Sequence, residues 1–186
     1  MNVIRILGID PGSRITGYGI IESDGRTTRH IASGCIRVGN GDFTRRLKDI
    51  YTRIGELIVE YAPQEVSVER VFFHRNADSA LKLGQARAAA ICGTFARGVV
   101  IHEYAAREIK LAIVGRGGAD KAQVQHMVKA ILGLEELPAT DEADALAAAI
   151  CHAHSHPLRG ALNSAKLAGR TTGRASGRRS WRKFAG

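Results

Sequence analysis

"LGIDPGSR", residues 7–14, carries an apolar run into an aspartate and then into Pro11-Gly12, a pair that stops a strand and opens a turn. The apolar run Val3–Ile9 predicts a first strand with a carboxylate waiting at its end. Asp10 shares the parity of Ile4, Ile6 and Gly8, so it continues a buried face of that strand. Two readings are open for it. It is the first residue of an ordinary Asp-Pro-Gly turn, or the turn exists to present a carboxylate for chemistry.

Working outward from this stretch, Thr16–Ile21 predicts a second strand, with Tyr18 and Ile20 on one side and Gly17 and Gly19 on the other. Asp24-Gly25 is a hairpin signal, and His30–Val38 follows as a third strand, giving an antiparallel meander. Leu47, Ile50, Ile54, Leu57, Ile58 and Tyr61 recur at helical spacing within Phe43–Tyr61, and Pro63 ends that helix. Glu65–Phe72 reads as a strand, Ala77–Arg97 as a long helix, Val99–Tyr104 as a strand, and Ala106–Val114 as a short helix. Asp120–Leu132 opens with an Asp120/Gln123 capping pattern, and Thr140–His152 closes the series as a helix. The order βββαβαβααα predicts an α/β fold, a mixed sheet of about five strands flanked by helices.

A chain of 186 residues with 45% hydrophobic content supports one core, assigned to residues 1–156. Eight of the 27 Lys and Arg lie from Pro157 onward with no acid among them, so the remaining 19 face all 18 acids and the body is close to neutral. Residues 157–186, rich in Gly, Ser, Thr, Arg and Lys, have the composition of a disordered basic tail that adds sequence-independent phosphate contacts. Cys35, Cys92 and Cys151 form no CxxC pair and read as small core residues in a reducing cytoplasm. No run approaches the ~18 apolar residues of a membrane span, and the first residues lack the pattern of an export signal.

Other acids stand in unusual places. Glu69 lies late in EVSVERVFF, a strand dominated by Val and Phe, and its neighbour Arg70 points to the opposite face. Asp141 and Asp144 are three apart on one helix face, followed in the same stripe by Ala147, Ala148 and Cys151. The helix dipole accounts for Asp141 in the first turn but not for Asp144 among alanines. Structural readings of Asp10, Glu69, Asp141 and Asp144 leave buried charges uncompensated, whereas one or two shared divalent cations satisfy all four. Oxygen-only ligation suits Mg²⁺ or Mn²⁺.

The stretches GIDPGSRITGYG (8–19), VERVFFHRNADSALKLGQARAAA (68–90), EYAAREIK (103–110), ADKAQVQHMV (119–128) and ATDEADALAAAI (139–150) resemble, in colinear order, the RuvC Holliday-junction resolvases. The resemblance covers about residues 3–155 and leaves out the tail. It implies a ribonuclease H-like fold and a homodimeric, Mg²⁺-dependent DNA endonuclease that nicks two opposed strands of a four-way junction, leaving 5′-phosphate and 3′-hydroxyl ends. It places catalytic, metal-binding carboxylates on Asp10, Glu69, Asp141 and Asp144, with two Mg²⁺ per subunit and Mn²⁺ as a substitute. It also assigns a junction-stacking aromatic to Phe72, DNA contacts to Lys110 and Lys121, and partnership with the RuvA and RuvB branch-migration proteins. Three departures from the family pattern bear on base preference and affinity more than on chemistry: Arg70 where Gln is expected, a second aromatic at Phe73, and the long basic tail.

Weaker motifs remain. GRGG at 115–118 is no dinucleotide fingerprint, and its glycines read as a loop that approaches a DNA backbone. His152 and His156 are i,i+4 in CHAHSH, read as a His-rich helix end rather than a metal pair. GIDPGS also resembles the phosphate loop of actin-like ATPases, which need two such domains and a longer chain. A purely DNA-binding role is the other rival, and a binder has no reason to place four acids where DNA must lie.

Overall fold

The computed structural model describes residues 3–39, 41–70 and 76–171, with side chains described as far as Ser155. Its elements in chain order are β1 (Ile4–Asp10), β2 (Ile15–Ser23), β3 (Thr28–Arg37), α1 (Phe43–Tyr61), β4 (Glu65–Arg70), α2 (Ala77–Gly93), a 3₁₀ turn (Phe95–Arg97), β5 (Val100–Ala105), α3 (Ala106–Val114), α4 (Lys121–Leu132) and α5 (Thr140–Thr171). Short connections join β1, β2 and β3, and these pairs are antiparallel. Helical crossovers join the remaining strands, so β1 pairs parallel with β4 and β4 with β5. The sheet order is β3-β2-β1-β4-β5, a mixed five-stranded sheet as expected.

Strand alternation divides the core into two layers. Leu7, Ile9, Ile20, Val66 and Val68 face α1 and α2, whose Ile50, Ile54, Ile58, Ala86 and Ala90 complete one cluster. Ile6, Ile21 and Tyr104 face the other way, toward α5 and the helices α3 and α4 outside it. Ala143 and Ala145–Ile150 of α5 are fully buried, the mark of a helix packed on all sides. Only small residues on the sheet permit its approach. A Cβ at Gly8 would lie 2.0 Å from the Ala145 carbonyl oxygen, and one at Gly17 would lie 1.8 Å from that of Asp141.

Some boundaries and placements differ from the sequence reading. The helix from Ala77 ends at Gly93, where Thr94 turns back on the Ile91 carbonyl with both its N–H and its hydroxyl. Pattern alone ran it to Arg97 because the alanine-rich stripe masks a Gly-Thr stop. The last helix passes His152 and continues to Thr171, taking in the first residues of the basic segment. Residues 172–186 lie outside the described residues. Of the cysteines only Cys151 is buried; Cys35 is half-buried and Cys92 exposed, because Cys92 falls on the outward side of α2.

Candidate active site

The parallel pairing of β1 and β4 puts Ile9 opposite Val68, so Asp10 and Glu69 end adjacent strands on the α5 side of the sheet. The loop after Asp10 is fixed from two directions. Thr16, fully buried, donates its hydroxyl to the Gly12 carbonyl at 3.0 Å, and Arg46 of α1 donates to the Ser13 carbonyl at 3.0 Å. Asp10 is therefore both the start of a turn and a carboxylate presented by it.

The first turn of α5 brings Asp141 and Asp144 to the same end of the sheet. Glu142 holds that turn by accepting from the Ala139 N–H at 3.1 Å and from Ser33 Oγ of β3 at 2.6 Å. His30 Nε2 lies 2.8 Å from the same serine hydroxyl. Glu142 thus serves as an anchor beside Asp141, a role that its neighbour's presence in the sequence did not reveal.

The electrostatics show how closely these acids are grouped. Burial, then the charges of Asp144, Glu69 and Asp141, push Asp10 from an ordinary 3.8 up to about 7, with Lys121 partly offsetting them. Burial and the Asp144 charge raise Glu69, against Lys121 and Lys110. Burial also raises Asp144, although Lys121 opposes it both by charge and by a hydrogen bond from Nζ to Oδ2 at 3.3 Å. Burial works against the Lys121 ammonium, yet Asp144, Asp10 and Asp141 outweigh it and hold the lysine above its usual range. The four carboxylates are one interacting set, and Lys121 and Lys110 are the cations that act on it.

Other sequence expectations are placed as follows. Lys121 is the first residue of α4, after Asp120, which accepts from the Gln123 N–H at 2.8 Å while Gln123 returns the contact to the Asp120 N–H. Phe72 and Phe73 lie outside the described residues. Arg70 turns away from Glu69 and donates to the Glu103 carbonyl at 3.3 Å. In the GRGG loop a Cβ at Gly117 would lie 2.7 Å from Cγ of Arg107, whereas one at Gly118 would meet nothing within 4 Å. In CHAHSH, His152 is fully buried and bonded to Tyr104 and Glu65, while the side chain of His156 lies outside the described residues. No helix among the described residues is long and apolar enough to cross a membrane.

Four carboxylates from two strand ends and a helix start form a hard-oxygen donor set with more negative charge than its two lysines balance. That chemistry fits divalent cations of the Mg²⁺ or Mn²⁺ type, since a cation lowers each of the raised pKa values.

The chain is similar to known proteins over most of its length. Residues 6–152 match the family described as crossover junction endodeoxyribonuclease RuvC. A RuvC from Marinobacter nauticus is 59% identical over 149 residues, 80% of this chain and 85% of that protein. One from Methylococcus capsulatus is 57% identical over 150 residues, 81% of this chain and 90% of that protein. Among solved structures, T. thermophilus RuvC in complex with Holliday junction substrate aligns with a TM-score of 0.79 at 33% identity, over 84% of this chain and 96% of that one. A yeast mitochondrial Holliday junction resolvase, 14% identical with a TM-score of 0.63, shares the fold. With 147 consecutive residues matched, from the first strand to the buried part of α5, the chain belongs to the RuvC family of crossover junction endodeoxyribonucleases and has its ribonuclease H-like fold.

Proposed function

We propose that this chain is a divalent-cation-dependent DNA endonuclease that resolves four-way junctions by paired nicks, with Asp10, Glu69, Asp141 and Asp144 as its catalytic carboxylates. The observation that carries the reading is the convergence of these acids on Asp10, whose carboxyl is held near 7 by burial and by its three neighbours. A group so placed is costly to keep charged without a cation, and acids are not otherwise gathered where a polyanion must bind. Membership of the family, and the junction complex of the T. thermophilus relative, support the choice of substrate.

Two Mg²⁺, or Mn²⁺ in their place, would supply neutralisation of the scissile phosphate and an activated water for in-line attack, leaving 5′-phosphate and 3′-hydroxyl ends. Asp10, central to the set, would be shared between them, Glu69 would hold one, and Asp144 with Asp141 the other. Lys121, released from Asp144, would move its ammonium toward the phosphate, and Lys110 would add a second positive charge nearby. Phe72 is proposed to stack on a junction base, as the family resemblance implies. A homodimer presents two such sites to two opposed strands, and partnership with RuvA and RuvB belongs to the same reading, as does action in the cytoplasm. The basic segment from Pro157 onward is proposed as a separate DNA-contacting arm.

The test is nicking of a synthetic four-way junction beside a linear duplex of matched sequence, with Mg²⁺, with Ca²⁺ and with excess chelator. Symmetric nicks in the junction with Mg²⁺, binding without cleavage in Ca²⁺, and no cleavage in chelator are expected. Cleavage in chelator, or equal cutting of the duplex, overturns the proposal.

A further inference from the structure

At the opposite end of β4 a second cluster of ligating groups is assembled. Glu65 begins β4, His102 lies in β5 and His152 in α5, and one ligand atom from each lies within 4.8 Å of the others. Glu65 Oε2 is 2.5 Å from His152 Nε2 and 3.0 Å from His102 Nε2. The two imidazoles stack with centroids 4.2 Å apart, so both rings present the same nitrogen to one carboxylate oxygen. Tyr104, two residues beyond His102 on the same strand face, places its hydroxyl 2.7 Å from His152 Nδ1.

From this geometry we infer that Glu65, His102 and His152 form a binding site for a borderline-soft divalent transition metal of the Zn²⁺ class, separate from the four-carboxylate site. Two imidazoles and one carboxylate are a donor set that prefers Zn²⁺ to Mg²⁺, whereas the all-oxygen set at the other end of the sheet has the reverse preference. A tetrahedral ion with bonds of about 2.0–2.2 Å separates its donors by about 3.3 Å, so to admit it the Glu65 carboxyl draws back from the 2.5 Å and 3.0 Å it keeps to the two nitrogens, and the stacked rings tilt until both Nε2 lone pairs meet the ion. Any proton on Nε2 of either ring leaves to solvent as the ion binds. With Nε2 on the ion, His152 would carry its proton on Nδ1 and donate it to Tyr104 Oη 2.7 Å away, the outer hydrogen bond that commonly fixes a ligating imidazole. His152 itself is fully buried, while the Glu65 and His102 side chains keep 18% and 19% of their surface exposed, which leaves a side for entry and for a water as fourth ligand.

The position suits a clamp on the catalytic frame. Glu65, Ser67 and Glu69 share one face of β4, and two strand residues advance about 6.6 Å, close to the 6.0 Å of four helix residues. Glu65 accordingly meets His152, and Ser67 Oγ meets the Ala148 carbonyl at 2.7 Å. Glu69 in turn comes within the field of Asp144. An ion joining β4, β5 and α5 at the first rung sets the register of the last.

The inference stands apart from the proposed nuclease activity, and its test reads metal rather than nicking. The full-length chain carrying Asp10→Asn and Asp144→Asn, which disable the carboxylate site, is equilibrated with buffered Zn²⁺ in excess Mg²⁺ and assayed for bound metal. One Zn²⁺ per chain is expected. Adding His102→Phe or Glu65→Gln removes it, and Tyr104→Phe weakens it by about 10–100-fold. Binding of Co²⁺ to the same double variant provides a second readout that needs no change in the cluster: strong visible absorption marks a four-coordinate site with nitrogen ligands. No stoichiometric Zn²⁺, Zn²⁺ that survives His102→Phe, or a weak octahedral Co²⁺ spectrum each overturns the inference.

Discussion

Replacing Asp10 by asparagine is expected to stabilise the metal-free protein while abolishing cleavage. Burial and neighbouring acids raise the Asp10 carboxyl from 3.8 to about 7. An acid raised in this way binds more protons folded than unfolded between those two values. Its presence therefore lowers stability progressively as pH rises through that window, and the full penalty stands above about pH 7. A displacement of about 3 pH units corresponds to about 4 kcal/mol. Asparagine keeps the shape but forfeits an acceptor, which returns about 1 kcal/mol. The net gain is about 3 kcal/mol at pH 8, a rise of roughly 6–12 °C in Tm for a chain of this length. Urea unfolding in chelator, at pH 8 and again near pH 4, measures it: a gap between variant and parent at pH 8 that closes at pH 4 is the expected pattern. Saturating Mg²⁺ should shrink the gap by stabilising the parent. Equal or lower stability of Asp10→Asn at pH 8 in chelator would refute the reasoning, since Asp10 would then not be a strained charge awaiting a cation.

Glu69→Gln and Asp144→Asn should each lower junction nicking at least about 100-fold while junction affinity in Ca²⁺ changes little, because phosphate contacts elsewhere position the DNA; gel-shift and nicking assays separate the two. Gly8→Ala drives a methyl into the Ala145 carbonyl and should cost about 1–3 kcal/mol or more, read by urea unfolding, with nicking reduced as α5 is displaced from β1. Deleting residues 160–186 should weaken binding to junction and duplex by a similar factor and flatten the salt dependence by about 0.9 per lost phosphate contact, leaving nicking at saturation intact; paired salt titrations check it. Loss of junction preference alone would make the arm a reader of structure.

Asp10, Glu69 and Asp144 were legible as candidates without coordinates because each breaks a local rule, and Asp141 because it shares a helix face with Asp144. Asp10 continues the buried parity of Ile4, Ile6 and Gly8, and Asp144 sits in an alanine stripe. Uncompensated acids in apolar patterns announce that something else must balance them. The elements were legible for the same reason, since periods of 2 and 3.6 are local properties of the chain. Lys121 and Lys110 were not, because a lysine on a helix looks the same whether or not acids face it, and their assignment rested on resemblance to a family.

Tertiary structure alone decided the rest. Strand order makes β1 and β4 neighbours, and only then do Asp10 and Glu69 stand side by side. Glu65, His102 and His152 are separated by 37 and 50 residues, and their meeting depends on three elements docking in one register. No short-range pattern encodes that register. It comes from Gly8, Gly17 and Gly19 admitting the backbone of α5, and from the near match of two strand residues to four helix residues along the line of contact. Local periodicity thus specifies which residues are buried, whereas the pairing of charges within that buried layer is set by packing distances that exist only once the sheet and α5 have met.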